Sequence, residues 1–302
     1  MKIVKILLKT ILVLLLIAVL GAVFVFGFYW PKYWMYNGKL VADDLPQDDK
    51  ITVVSANVRC FSPEDLFKKS WFYRAPLLLQ TLQDAQPDII GLQEVTPLHK
   101  RFLDRTLRGY GSVLQYRDDF ILHESCPIYY SESKFELQDK GSFWLSETPD
   151  EMSKDWGAAC YRICSYVILT QKSDGKQLVV FNTHLDNASE LARINGIRLV
   201  LQKIEQFGGM PCVIMGDLNA EENTETYKAA TALFLDAKYQ TDDTDSGATY
   251  QFYGQALDDE NIDYFLISKT GIDVLQYKVL RATYDDVYPS DHFPIRMEMK
   301  LS

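Results

Sequence analysis

The chain has 302 residues and a formal net charge of −10; 47% of its residues are hydrophobic and 24% are charged. This composition is ordinary for a globular protein, and the acidic balance disfavours a protein that coats nucleic acid through a broad basic face. It does not exclude a site that recruits phosphate through a bound cation. Five cysteines without zinc-site spacing argue against a disulfide scaffold, and we expect most of them to be small buried side chains.

The first element is an apolar segment, Thr10–Trp30, that contains no charged residue. At 1.5 Å per residue it can cross a bilayer core of about 30 Å. Lys2, Lys5 and Lys9 precede the segment, which places the N-terminus in the cytoplasm and the rest of the chain outside the cell membrane. A cleaved signal peptide is the main alternative, but bulky aromatic residues follow the segment, so we favour an uncleaved single-pass anchor.

Three regions are expected from this pattern: 1–36 as cytoplasmic lysines and transmembrane anchor, 37–50 as a polar linker, and 51–302 as one domain. The first 40 residues carry five lysines and no acidic residue, so the remainder carries a net charge of −15. The domain therefore lies outside the membrane as a strongly acidic body.

Within the body, short apolar or alternating segments predict many strands and few helices, which indicates one α+β domain. The predicted strands are Ile51–Val58, Ile89–Leu92, Pro127–Tyr130, Phe135–Trp144, Tyr161–Thr170, Gln177–Asn182, Pro211–Met215, Ile262–Ile267, Val274–Arg281 and Phe293–Met299. The predicted helices are Ala75–Ala85 and Asn187–Phe207, the second with Asn187 and Glu190 as a capping box.

Polar side chains stand at the ends of these strands, where α/β sheets usually place ligands. They are Asn57, Glu94, His184, Asp217, Asn219, Asp291 and His292, with Asp263 inside an otherwise apolar strand. Each one has an ordinary explanation as a turn, a cap or a core histidine. Together they form a set suited to hydrolysis, because carboxylates hold a hard cation or orient water and an imidazole donates to an oxyanion. A buried carboxylate at position 263 needs a partner, and His292 is a plausible one.

The ordered motifs SANVR, LQEV, NTHLD, GDLN, IDYFLI and SDHFP resemble the endonuclease/exonuclease/phosphatase superfamily, with the deoxyribonuclease I-like fold. The resemblance covers about Ile51 to Leu301. It implies a four-layered α/β/β/α sandwich with two mainly antiparallel sheets, and Mg²⁺-assisted attack of water on a phosphoester, with Mn²⁺ as a possible substitute. The body is expected to be a monomer.

The resemblance also implies a role for each motif residue. Glu94 is the expected principal metal ligand, and Asn57 and Asp291 contribute to the metal and phosphate site. Asp217 aligns the nucleophilic water, and His292 stabilises the transition state with Asp263 as its orienting partner. His184 and Asn219 are the expected phosphate contacts.

Two further segments, Phe143–Pro149 and Gly247–Gly254, resemble a bacterial, membrane-anchored branch of the superfamily. The rings of Trp144 and Phe252 could stack on a base, sugar or lipid headgroup, and Arg162 is expected to hold a phosphate oxygen. Core packing is the alternative for Trp144. Tyr130 matches the tyrosine region of the family's active site, although Tyr129 beside it is a second candidate.

The sequence therefore predicts a Mg²⁺-dependent phosphoester hydrolase that faces outside the membrane. A nuclease, a phospholipid or sphingomyelin phosphodiesterase and a small-molecule phosphatase remain open as substrate classes. A non-catalytic surface-binding module on the same fold is the alternative from a different functional class.

Overall fold

The computed structural model describes residues 2–255 and 260–302, which form five helices and fifteen strands. The helices are α1 (Lys2–Tyr33), α2 (Trp71–Ala85), α3 (Pro97–Thr106), α4 (Glu190–Glu205) and α5 (Glu225–Thr231). The strands are β1 (Leu40–Val41), β2 (Ile51–Asn57), β3 (Ile89–Gln93), β4 (Leu107–Arg108), β5 (Tyr110–Val113), β6 (Ile128–Ser131), β7 (Phe135–Trp144), β8 (Ile163–Gln171), β9 (Gln177–His184), β10 (Cys212–Asp217), β11 (Leu235–Asp236), β12 (Thr244–Asp245), β13 (Asp263–Ile267), β14 (Ile272–Val279) and β15 (Ile295–Leu301).

Two mixed sheets form the centre of the body. One has the strand order β12-β14-β15-β2-β3-β6-β5, and the other has the order β11-β13-β10-β9-β8-β7. Most neighbours are antiparallel, but β2 and β3 as well as β12 and β14 are parallel in the first sheet, and β9 and β10 are parallel in the second. The expected α+β fold is confirmed, with the sheets mixed in direction.

Alternation along the central strands explains the four layers, because successive side chains point to opposite faces of a sheet. Ile51 and Val53 of β2 pack in the core between the two sheets, while Val54 and Ala56 pack against α2 and α3. Strand β10 behaves in the same way, with one face against the other sheet and one against α4 and α5. Both sheets are therefore covered on both faces, and their strands have continuous apolar sequences.

The close approach of strands β9 and β10 leaves no room for a side chain at position 216. Gly216 in β10 has φ +140°, and a Cβ at this position would lie 1.9 Å from the carbonyl oxygen of Thr183 in β9. The two parallel strands therefore approach closely just before they end at Asp217 and His184, which are paired in register.

Helix α1 is long and apolar enough to cross a membrane, and its large apolar side chains from Ile3 to Val25 are exposed. Its last turns instead pack on the body. The side chain of Tyr33 is buried, and its hydroxyl donates a hydrogen bond to the carbonyl oxygen of Leu98 at 2.6 Å. The C-terminal end of the helix is thus joined to the α2–α3 layer.

The segment predicted as a linker, 37–50, is also packed on the body. Leu40, Ala42 and Leu45 are buried, and β1 pairs with β4. The attachment of α1 to the body is therefore tighter than a free linker implies.

The capping box predicted for the second helix is wrong in its details. Ser189 is the N-cap of α4, and its hydroxyl accepts a hydrogen bond from the backbone N–H of Ala192. The side chain of Asn187 turns instead to Arg162 and accepts a hydrogen bond from its guanidinium at 3.1 Å.

Candidate active site

The topology brings the predicted strand ends to one edge of the sandwich. Parallel strands β2 and β3 end side by side, with Asn57 paired to Gln93 and Glu94 just beyond. In the second sheet, His184, Asp217 and Asp263 are paired across β9, β10 and β13. The segment that leads into β15 reaches the same edge, because β15 runs antiparallel to β2.

The amide of Asn57 connects the two sheets. Its Nδ2 donates to Glu94 Oε1 and to Asp217 Oδ2, each at 3.0 Å. Its Oδ1 accepts from the backbone N–H of Arg59 at 2.9 Å, which fixes the amide orientation because only the oxygen can accept. Asn57 thus presents its nitrogen to the two carboxylates, an orientation that suits positioning better than direct metal binding.

The second network joins His292 to two carboxylates. Its Nδ1 lies 2.8 Å from Asp263 Oδ2, and its Nε2 lies 3.8 Å from Asp217 Oδ2. One atom from each of the three residues lies within 4.8 Å of the others. Because Asp263 and the imidazole already satisfy each other with a hydrogen bond, this group is explained as a positioned imidazole.

A turn follows Asp217, which is one of the ordinary explanations that the sequence offers for a polar pair at the end of a strand. Asn219 has φ +47°, and its backbone N–H donates to Asp217 Oδ1 at 2.9 Å. Its side-chain nitrogen donates to the carbonyl oxygen of Leu185 at 3.1 Å. The residues form a turn and line the site at once, because one Asp217 oxygen stabilises the turn while the other faces Asn57.

Burial and charge separate the proton affinities of the site. Burial raises the pKa of Asp217, and the neighbouring Asp263 raises it further, to about 7. Burial opposes the charged form of His292, but the charge of Asp263 and its hydrogen bond outweigh burial and raise the pKa to about 10. The pair therefore offers a carboxylate that can take a proton near neutral pH beside a positively charged imidazole.

The pKa values of His184 and Glu94 are lowered, in contrast to those of Asp217 and His292. Burial, with the charge of Arg162, lowers the pKa of His184 well below its ordinary value, so its ring is neutral at pH 7. Burial by itself would raise the pKa of Glu94. The interaction with His184, the hydrogen bonds from Cys60 N–H and Asn57, and the charge of His292 together outweigh burial, so the pKa of Glu94 is lowered and the carboxylate stays ionised.

The donor set fits a hard divalent cation. Glu94 is half-buried and ionised, and each of its oxygens accepts only one of the hydrogen bonds described, which leaves a lone pair for a metal. Asp291 is a second carboxylate facing the same cavity; it is buried, and burial raises its pKa, as expected for a charge without full compensation. Carboxylate oxygens without a soft ligand suit Mg²⁺ or Mn²⁺.

Most of the predicted site residues line one cavity of about 350 Å³. They are Glu94, Arg162, His184, Asp217, Asn219, Asp291 and His292. Asn57 and Asp263 lie directly behind this set and contact it through the hydrogen bonds above.

Three predicted residues lie elsewhere, because the cavity lining among the described residues does not include Tyr130, Trp144 or Phe252. Tyr130 packs in the core between the sheets, with its ring over Gly111, so the predicted catalytic role is not supported by its position. Trp144 is half-buried and its Nε1 donates to the carbonyl oxygen of Arg117 at 2.8 Å. Phe252 is 40% exposed and neighbours Tyr250, which does line the cavity.

Two arginines in the cavity lining, Arg59 and Arg117, were not predicted from the sequence. Arg59 lies 3.2 Å from Asp65 and 3.7 Å from Asp291, and its presence in the SANVR motif was a usable signal. Arg117 pairs with Glu124 at 2.8 Å from a loop that carries no recognisable pattern. With Arg162 they place three guanidinium groups in a lining that also carries five carboxylates. Guanidinium groups are suited to hold phosphate oxygens.

Comparisons with known proteins agree with this geometry. The model of a family described as the endonuclease/exonuclease/phosphatase family matches residues 54–292. The solved structure of a member of that family from Bacteroides thetaiotaomicron is 31% identical, has a TM-score of 0.77, and covers 84% of this chain and 98% of that chain. A mannosyl-6-phosphatase structure from the same organism is 32% identical, has a TM-score of 0.76, and covers 82% of this chain and 99% of that one.

Curated relatives match less completely. Human nocturnin is 25% identical over 260 residues, which is 74% of this chain and 57% of nocturnin. Drosophila melanogaster nocturnin is 29% identical over 194 residues, or 59% of this chain and 28% of that protein. The chain therefore spans only part of the length of these relatives.

Proposed function

The chain belongs to the endonuclease/exonuclease/phosphatase family, and from that premise we propose that it is a divalent-cation-dependent phosphoester hydrolase. One observation carries the proposal. The Asp263–His292 hydrogen bond, the Asp217 carboxylate and the Glu94 carboxylate meet at one cavity, and Asn57 links Glu94 to Asp217.

The chemistry assigned to these groups is a displacement at phosphorus. A water oxygen bonds to phosphorus as the ester P–O bond breaks; the leaving oxygen takes the bonding electron pair and is then protonated from solvent to give the alcohol. Asp217 takes the proton of the water, and His292 donates a hydrogen bond to the oxygen on which negative charge develops. Asp263 holds the imidazole with its Nε2 turned to the cavity, while His184, Asn219 and Arg162 contact phosphate oxygens.

Glu94 and Asp291 would hold the cation. When bound, Mg²⁺ or Mn²⁺ supplies charge that neutralises the phosphoryl oxygens during displacement. The lone pairs left on Glu94 and the buried, undercompensated Asp291 support this assignment.

We also propose that α1 anchors the enzyme, with the N-terminus in the cytoplasm and the catalytic body outside the cell membrane. The three lysines before the apolar segment and the exposed apolar side chains of α1 support this orientation. Protease added to intact cells that express the protein should digest the body. Protection until the membrane is permeabilised would reverse the orientation.

The size and charge of the cavity favour two substrate classes over a third. About 350 Å³ with arginines in the lining suits a phosphate on a compact group, and the net charge of −15 outside the first 40 residues disfavours long nucleic acid. The similar mannosyl-6-phosphatase is named for a phosphomonoester, which supports a phosphatase as one candidate. A phosphodiesterase acting on phospholipid or sphingomyelin is the other, and a nuclease ranks behind both.

A panel assay tests the function. The full chain in detergent is offered nucleotides, sugar phosphates, sphingomyelin, single-stranded DNA and bis-p-nitrophenyl phosphate, each with Mg²⁺, Mn²⁺ or chelator. We expect cation-dependent hydrolysis that His292→Ala lowers by about 10²–10⁴-fold, the usual contribution of a positioned acid–base group. His123→Ala is the control, because His123 stacks on Tyr116 outside the cavity lining. A chain that binds phosphoesters but hydrolyses none of them would instead be a binding module.

A further inference from the structure

The C-terminal part of α1 packs against the loop of residues 58–70, which joins β2 to α2 and contributes Arg59 to the active-site cavity. The ring of Phe24 contacts the ring of Phe67 in this loop with centroids 5.9 Å apart, and Phe28 stacks at 5.3 Å on Tyr73 of the adjoining helix α2. The hydroxyl of Tyr29 accepts a hydrogen bond from the backbone N–H of Phe67 at 2.9 Å. These contacts fix the loop beside the helix, at a definite height along its axis.

That height lies within the apolar segment. Phe24 precedes Trp30, the last residue of the uncharged segment, by six residues, which is about 9 Å along a helix. A ring packed on Phe24 therefore reaches the outer part of the bilayer that α1 would cross. Leu66 and Phe67 are nevertheless 60% and 56% exposed, so protein covers only part of each side chain.

The same loop reaches the cavity. Arg59 lines the cavity, and its Nε is paired with Asp65 at 3.2 Å, one residue before Leu66. The two ends of a short loop thus contact the membrane-level helix and the phosphate-binding cavity.

A second series of contacts joins the loop to the cavity from the other side. Lys69 Nζ lies 5.7 Å from the ring centroid of Phe252, which is itself 40% exposed. Phe252 neighbours Tyr250 at 6.2 Å, and Tyr250 packs against the imidazole of His292 at 5.0 Å. The ammonium group of Lys69 and the rings of Phe252 and Tyr250 therefore link the loop to the catalytic imidazole.

We propose that Leu66, Phe67 and Phe252 form a membrane rim that enters the outer leaflet, and that the substrate is a phosphate-bearing lipid of that leaflet. The substrate part of the inference rests on the proposed function. The occupant of the rim is assigned by continuity with α1, because Phe67 packs on the segment that lipid surrounds. Lys68 and Lys69 follow Phe67 directly, and basic residues beside inserted apolar residues attract anionic headgroups.

The position of the rim is tested without reference to activity. The full chain is reconstituted in phosphatidylcholine vesicles with or without brominated acyl chains, which quench nearby tryptophan fluorescence. Phe67→Trp should add fluorescence that bromine quenches, beyond that of the native tryptophans. Leu233→Trp is the matched control, because Leu233 is 54% exposed and follows α5 in the opposite outer layer. Equal quenching of the two added tryptophans would overturn the membrane rim.

The substrate class is tested in vesicles of phosphatidylcholine and phosphatidylglycerol, with hydrolysis of the vesicle lipids compared with that of soluble bis-p-nitrophenyl phosphate. Leu66→Ser with Phe67→Ser should lower lipid hydrolysis by about tenfold or more, as the loss of two inserted apolar side chains predicts, and leave the soluble substrate unaffected. Leu233→Ser should change neither rate.

Failure of this inference is distinct from failure of the proposed function. Wild-type hydrolysis of the soluble substrate without hydrolysis of vesicle lipid would overturn the lipid substrate and leave the hydrolase in place. An equal loss on both substrates in the double variant would also overturn it, since a general structural defect explains that result. Hydrolysis of neither substrate would overturn the lipid substrate, and bromine quenching would then decide the rim alone. The hydrolase itself would be overturned only if the nucleotides and sugar phosphates of the panel were left intact as well.

Discussion

His292 Nδ1 lies 2.8 Å from Asp263 Oδ2, at the point where β13 begins beside the end of β10. The carboxylate both aims the imidazole and keeps its proton, because the negative charge of Asp263 raises the pKa of His292. The imidazole therefore presents a charged N–H to the cavity over the whole neutral range.

Replacement of Asp263 should separate these two effects. In Asp263→Asn the pKa of His292 falls from about 10 toward or below its ordinary value, because burial then acts without the opposing charge. We expect kcat to drop by about 10²–10⁴-fold, and the loss of activity on the alkaline side to begin at lower pH. A pH profile of kcat checks the direction. Asp236→Asn, which removes a buried carboxylate outside the cavity lining, should keep the wild-type profile.

Glu94 and Glu124 provide a matched pair for cation binding, because both line the same cavity. Glu94→Gln should weaken Mn²⁺ affinity by more than about tenfold, since even the outer-shell partners of metal ligands are worth about 10–100-fold. Glu124 is paired with Arg117, so Glu124→Gln should leave the affinity near that of the wild type. Isothermal titration calorimetry compares the two, and equal affinities would remove Glu94 from the ligand set.

Gly216 should be among the positions least tolerant of a side chain. A Cβ there meets the backbone carbonyl of Thr183 at 1.9 Å, so Gly216→Ala should lower the free energy of unfolding by about 3 kcal/mol or more. Gly175→Ala is the control, because Gly175 has φ +77° but no atom within 4 Å of the added Cβ. Its expected cost is about 1–2 kcal/mol, from the left-handed backbone alone.

Chemical denaturation followed by near-ultraviolet circular dichroism measures both glycine variants, because that signal reports side-chain packing in the body. Similar losses in the two variants would mean that β9 and β10 separate easily.

The predicted residues that end apolar strands are brought together in the structure, while their roles stay predictions. Glu94 and Asp217 were identifiable because each follows a run that is buried on both faces. They come together because β2 pairs in parallel with β3, and β9 with β10, so the ends of these strands share an edge. The strand Phe135–Trp144 has the predicted bounds.

Three features were not predicted correctly from the sequence, namely the position of Tyr130, the N-cap of α4 and the presence of Arg117 in the cavity, and each has a physical reason. Strand β6 is buried on both faces, so the sequence cannot tell which of Tyr129 and Tyr130 faces which layer, and neither lines the cavity among the described residues. Ser189 and Asn187 are both good helix caps, and the choice depends on the contact between Asn187 and Arg162, which lies 25 residues earlier. Arg117 belongs to a loop, where position depends on tertiary contacts.

The hydrogen bond from Asn57 to Asp217 makes the geometry of the site depend on the distance between the two sheets. Asn57 ends a strand of one sheet and Asp217 ends a strand of the other, and their 3.0 Å hydrogen bond spans the gap. Deep in that gap, the side chain of Met215 fills the space over Gly91. Substitutions that widen or narrow this packing, far from any phosphate, should therefore be detected as changes in turnover before they are detected as loss of fold.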